Sequence, residues 1–154
     1  MSSRSSRHAI VAIACTLVAF VARTGVAQSG AIDPCSLLTA DQVKAVFGVA
    51  VDAGAPISKT ACLWKASGTA RQRATVALEP GDSWEKLKVS LPTAPKKPLS
   101  GVGDDAFYEN FGAFSSLGVK KGNTVFIIRV YGVDAVDKQE AYEKALAVDV
   151  VKKL

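Results

Sequence analysis

Hydrophobic and polar positions follow three different rhythms along this chain, and each predicts a different kind of element. Between residues 9 and 22 the apolar run is unbroken (AIVAIACTLVAFVA). Further on, Thr39 and Gln42 form a capping-box pair, Val43, Val46 and Phe47 share a helical face, and Gly48 is a natural stop, so a helix is predicted over 39–48. Three strand-like runs follow. The first, 49–57, is weak because Gly54 and Pro56 interrupt it. The second, 61–67, sets Cys62, Trp64 and Ala66 against Leu63 and Lys65. The third, 73–79, sets Ala74, Val76 and Leu78 against Arg73, Thr75, Ala77 and Glu79.

Pro80-Gly81-Asp82-Ser83 reads as a turn into a short helix with Trp84, Leu87, Lys88 and Leu91 on one face. The stretch 92–98 (PTAPKKP) is predicted to be an irregular, exposed linker. Strands are then predicted over 105–111, 113–120 and 124–131, the last two joined by a hairpin turn at Lys121-Gly122-Asn123. A closing helix is predicted with Asp137 and Glu140 as its cap pair, Tyr142, Ala145, Leu146, Val150 and Leu154 as its apolar stripe, and Lys152-Lys153 complementing its dipole. The order is α-βββ-α-βββ-α, with the look of a loose repeat that no residue-level identity supports. Hairpin connections imply an α+β fold with an antiparallel sheet of about five to six strands and helices on one face.

The unbroken run changes the compartment. It follows Arg4 and Arg7 and precedes Thr24-Gly25-Val26-Ala27, small at the positions a signal peptidase reads. Residues 1–27 are therefore read as a secretory signal cut after Ala27, leaving one exported domain over 28–154, periplasmic or secreted. The alternative is a retained anchor, but the run falls short of the roughly 20 residues that span a bilayer. Lipidation at Cys15 is disfavoured, because seven apolar or small residues follow it and Ala12 stands where a leucine is usual. No later run is long enough to span a membrane.

Export also limits the chemistry. The chain of 154 residues has 19 basic and 14 acidic side chains, a formal charge of +5. Without Arg4, Arg7 and Arg23 the remainder carries 16 against 14, or +2, which gives no reason to expect a nucleic-acid partner. His8, the single histidine, departs with the signal, and so does Cys15. Two cysteines in an oxidising compartment, Cys35 and Cys62, read as a structural disulfide; a redox pair would sit closer in sequence. If Cys62 faces the first helix, Trp64 does too, and the bond would staple that helix over the indole. With neither histidine nor free thiol left, the usual hydrolase triads and zinc sites lose their ligands and bases, so no catalytic residue, metal or cofactor is expected.

Gly101-x-Gly103-x-x-Ala106 has dinucleotide-motif spacing but precedes a strand instead of opening a helix, so it reads as a glycine turn. Asp104-Asp105 supplies two adjacent acids without the spacing of a calcium loop. A carboxylate pair for glycan or ester hydrolysis stays open as an alternative, with no pair to nominate. Arg71 and Arg73, Lys96-Lys97, Lys120-Lys121 and Lys152-Lys153 are short basic clusters that read as solubilising turns and helix ends. Aromatics concentrate in the last three strands. Alternation there assigns Phe126, Ile128 and Val130 to the core and Ile127, Arg129 and Tyr131 to the other face. That face is the candidate binding surface, for a small apolar or mixed ligand or an envelope protein. A homodimer or assembly interface explains the same residues equally well.

The runs DPCSLLTADQVKAVFG at 33–48, CLW at 62–64, GVGDDAFY at 101–108 and GVKKGNTVFIIRV at 118–130, with the closing Ala-rich helix, resemble the exported lipoproteins common in mycobacteria and their relatives. The likeness is more remote to extracellular sensor domains of mycobacterial membrane kinases. It implies a pairing of the two cysteines, an α+β sheet domain and a binding or sensing role, and it carries no catalytic residue. The lipid anchor usual in that family has no matching lipobox in this chain.

Overall fold

In the computed structural model, the residues described are 31–68, 71–89 and 94–154. The predicted export signal with Cys15, and Leu91 of the predicted second helix, lie outside them. The main helices and strands are α1 (Ala40–Phe47), β1 (Ala55–Pro56), β2 (Ala61–Lys65), β3 (Arg73–Glu79), α2 (Trp84–Val89), β4 (Lys96–Pro98), β5 (Asp105–Asn110), β6 (Ser115–Lys121), β7 (Thr124–Tyr131) and α3 (Val136–Val151). The strands form one sheet in the order β1-β2-β3-β7-β6-β5-β4, with every neighbouring pair antiparallel. From β3 at the middle the chain passes by way of α2 to the far edge. It then returns by hairpins, so that β7 closes the sheet against β3. The fold is α+β, as the pattern predicts, with seven strands among the described residues.

The first helix forms where its caps require. Thr39 accepts from Gln42 N (3.2 Å) while Gln42 accepts from Thr39 N (2.8 Å), and Gly48 ends the helix in the left-handed region at φ 74°. Before it, Asp33 caps a single 3₁₀ turn, Pro34–Ser36, which carries Cys35. Cys35 is bonded to Cys62 of β2, with 5.1 Å between Cα atoms. The staple thus joins the turn preceding α1 to the sheet. Leu37 and Leu38 pack with Val43, Phe47, Cys62 and Trp64 in one core. Trp64 is fully buried, and burial of a side chain that size contributes roughly 2–3 kcal/mol. Gly54 is where the weak first run meets this core: a Cβ there would lie 2.7 Å from the indole of Trp64 and 3.0 Å from Sγ of Cys62. Close approach of backbone to Trp64 explains the glycine, and with Pro56 it explains why only Ala55–Pro56 pairs as a strand.

Four expectations need correction. The segment 92–98 is not wholly irregular: Lys96, Lys97 and Pro98 pair with Glu109, Tyr108 and Phe107 as an edge strand. Proline and lysine are tolerated there because an edge strand has one unpaired side. The helices do not all share a face. α1 and α3 pack on the side of Ala74, Val76, Phe126, Ile128 and Val130, whereas Trp84 of α2 joins Phe107 and Val125 on the other. The cap pair of α3 is absent: its N-cap is Ala135, which makes no side-chain cap, and Glu140 is engaged elsewhere, with Lys97 at 2.7 Å.

The buried stripe of α3 also differs. It consists of Gln139, Glu140, Glu143, Leu146, Ala147 and Val150, while Ala145 and Leu154 are exposed. The reason lies in the sheet. Paired residues of β6 and β7 run from Lys121–Thr124 to Leu117–Ile128 and then stop. Continuing the register would set Ser115 opposite Val130. Instead, Ser115 N–H donates to Gln139 Oε1 (3.0 Å) and Val130 N–H donates to Glu143 Oε1 (3.1 Å). Two polar side chains one helical turn apart therefore fill the gap between the splayed strands and satisfy backbone donors that a buried sheet cannot leave unpaired.

Candidate functional site

Of the sequence-predicted binding residues, Ile127 lies opposite Ala77 and Gly118 and is 8% exposed, so it forms floor. Arg129 and Tyr131 are half-buried on the same face, opposite Thr75 and Arg73. Cross-strand partners share a face, so Lys65, opposite Arg73, and Leu63, opposite Thr75, belong to it as well. Residues from β2, β3 and β7 are thereby set side by side at one end of the sheet.

This end is where β6 leaves β7. The β5–β6 turn bends with Asn110 accepting from Gly112 N (2.7 Å) and Phe111 N–H donating to Phe114 O (3.0 Å). It brings Phe114 to 5.9 Å from the Tyr131 ring, and Phe111 stacks on Phe114 at 4.8 Å. From the other side the Arg73 guanidinium sits 4.6 Å above Tyr131. The result is a continuous row: Lys65, Arg73, Tyr131, Phe114, Phe111. A shallow cavity of about 510 Å³, lined by Ala94, Pro95, Asn110, Phe111 and Gly112, lies at its aromatic end. A smaller one of about 120 Å³, lined by Asp52, Ala53, Ala55, Leu63 and Lys65, lies at its basic end.

Around α2, Asp105 accepts from Trp84 Nε1 (3.1 Å) and pairs with Lys88 (2.6 Å), and Lys88 holds its carboxyl below the usual range. Lys96 pairs with Glu109 at 2.5 Å and lies over Phe107, and Glu109, opposite Ser116, stands at the splayed end on the same face as Arg129. Asp104, the other half of the acidic pair, takes Lys121 Nζ (2.9 Å) and Gly122 N (2.6 Å), and the Gly122 N–H followed by the lysine lowers its pKa. Both aspartates are thus engaged with neighbouring donors. The Gly101–Gly103 stretch is a turn into β5, with φ 81° and 63°. At the splayed end Lys65, Arg73 and Arg129 form no ion pair among the described residues, and Arg129 is close enough to Glu143 to lower its pKa.

Beneath the row lies a buried acid that sequence reasoning missed. Glu143 is fully buried, accepts from Ser115 Oγ (2.8 Å) and Val130 N, and is pushed up to about 7, chiefly by burial. Two hydrogen bonds and Arg129 oppose that rise without cancelling it. Tyr108 nearby donates to the Glu140 carbonyl oxygen (2.8 Å), and its hydroxyl is raised by burial. Arg73 and Lys65 were also missed as site residues. Their strand face was legible, but the pairing of β3 with β7 that places them beside Tyr131 was not.

No family model, curated protein or solved structure matches this chain. The functional reading therefore rests on the site itself.

Proposed function

We propose that this chain is an exported, noncatalytic binding module whose ligand sits on the splayed end of its sheet, across Arg73, Arg129 and Tyr131. One observation carries the reading: three cations that form no ion pair among the described residues lie beside a packed aromatic row on a face that no described helix covers at that end. Unpaired guanidinium groups next to aromatic surface are a common means of fixing a ligand's orientation. The disulfide and the 1–27 pattern support export. A carboxylate-dependent hydrolase is less well supported, because the most strongly perturbed acid, Glu143, has no solvent-accessible surface and is committed to the sheet gap.

Native mass spectrometry of protein purified from the cells that make it tests this. The parent chain is expected to retain a bound species, and Arg129→Glu to lose it. Retention unchanged in Arg129→Glu would argue against the face. A species with twice the chain mass, lost in the same variant, would favour the dimer reading.

A further inference from the structure

We infer that the end of the β5–β6 hairpin, residues 110–115, is a latch that swings away from β7 when Glu143 loses its proton. The inference stands apart from the binding role proposed above. Its first support is how the hairpin end is held. β6 pairs with β7 no further than Leu117–Ile128, so beyond that point the hairpin strands have only each other. Ser115 then ties the hairpin end to α3, its N–H donating to Gln139 and its Oγ to Glu143, and the Phe114 ring rests against Tyr131. The helix itself is fastened independently of the hairpin end. Gln139 Nε2 donates to Val133 O (2.7 Å), Tyr108 donates to Glu140 O (2.8 Å), Lys97 pairs with Glu140 (2.7 Å), and Leu146, Ala147 and Val150 lie in the core. Of the two partners at the gap, the hairpin end is the one that gives.

The second support is the carboxyl that closes the latch. Glu143 is fully buried and forms no ion pair among the described residues. A buried charge without a paired counter-ion is costly. The groups around it pull both ways. The Ser115 hydroxyl of β6 and the Val130 N–H and Arg129 of β7 favour the ionised form, while burial and Glu140 of its own helix oppose it. Tyr108 of β5 feels the Glu143 charge, Lys97 of β4 is taken up by Glu140, and Asp41 and Lys44 of α1 are exposed. A protonated carboxyl satisfies Ser115 and Val130 without water. An ionised one gains water if the Ser115 side opens, and it keeps Val130 N–H and Arg129 on the other. The same swing parts Phe114 from Tyr131, so the aromatic row is complete only with the latch closed.

Amide hydrogen exchange of the disulfide-bonded chain, followed by ¹H–¹⁵N spectroscopy from pH 5 to pH 8 with and without a little urea, tests the latch. Ser115 and Val130 N–H are expected to exchange at least roughly tenfold faster than those of Phe126 and Ile128, through an opening too small to respond to urea. Corrected for intrinsic exchange, their protection should fall at least about tenfold between pH 5 and pH 8. In Glu143→Gln that fall should vanish. Arg129→Gln, at a half-buried position, carries the test should Glu143→Gln not fold. It removes the cation that favours the ionised carboxyl, so the fall should run on to higher pH. Exchange of Ser115 and Val130 at the rate and urea dependence of Phe126 and Ile128 would overturn the latch, because the chain would then open only as a whole. A fall that persists in Glu143→Gln, or that ends at the same pH in Arg129→Gln, would overturn the part given to Glu143.

Discussion

Breaking the Cys35–Cys62 bond should lower the unfolding free energy by roughly 3.5 kcal/mol, from the loop entropy released when a 27-residue closure is opened in the unfolded chain. That is a large share of the 5–15 kcal/mol typical of a domain. The double replacement Cys35→Ala, Cys62→Ala is the cleaner test, since serine at the fully buried position 62 would add an unsatisfied hydroxyl. The loss should be felt first in the 3₁₀ turn and in Leu37 and Leu38, which the bond ties to β2 across Trp64. Urea unfolding of oxidised, reduced and double-Ala protein measures it. A change below about 1 kcal/mol would mean that the unfolded chain already holds those two segments together.

The second large effect concerns Glu143. Its carboxyl titrates at about 7 in the folded chain against an ordinary value of 4.5. Between those values the native state keeps a proton that the unfolded state has lost, so stability falls as pH rises. The contribution is complete below about pH 4.5 and gone above about pH 7. A shift of that size corresponds to on the order of 3 kcal/mol. Glu143→Gln removes the titration while keeping an oxygen for Val130 N–H and offering an N–H to the Ser115 hydroxyl, which can turn to accept. The variant should match the parent near pH 4.5 and exceed it at pH 8. Asp104 and Asp105, whose lowered values give the opposite dependence, are common to both proteins and drop out of the comparison. Parallel stability curves for the two proteins would refute the role given to Glu143.

Much of this architecture could be read from local pattern. The Thr39–Gln42 box, the Gly48 stop and the alternation of Phe126, Ile128 and Val130 each depend on a few consecutive residues, and all appear where their spacing puts them. β4 was hidden because Lys-Lys-Pro has the composition of a linker, and only its partner Phe107-Tyr108-Glu109 makes it a strand. The polar stripe of α3 was hidden for a different reason. Gln139 and Glu143, spaced one turn apart, look like a solvated helix face. Their burial follows from an early parting of β6 and β7 that no local pattern records. The candidate face was half legible: β7 supplied Arg129 and Tyr131, but Arg73, Lys65 and the stacked phenylalanines reach them only through nonlocal pairing.

The claim on which the account depends is that ligand binds at the splayed end of the sheet. Backbone chemical-shift mapping by ¹H–¹⁵N spectroscopy, comparing the chain stripped of the species it retains from cells with the same chain after that species is added back, tests it residue by residue. Shifts are expected to concentrate at Lys65, Arg73, Thr75, Phe114, Arg129 and Tyr131, with α1 and the outer face of α3 silent. Shifts centred on α1 and α3, or around Trp84 and Lys88 at the opposite end, would contradict it.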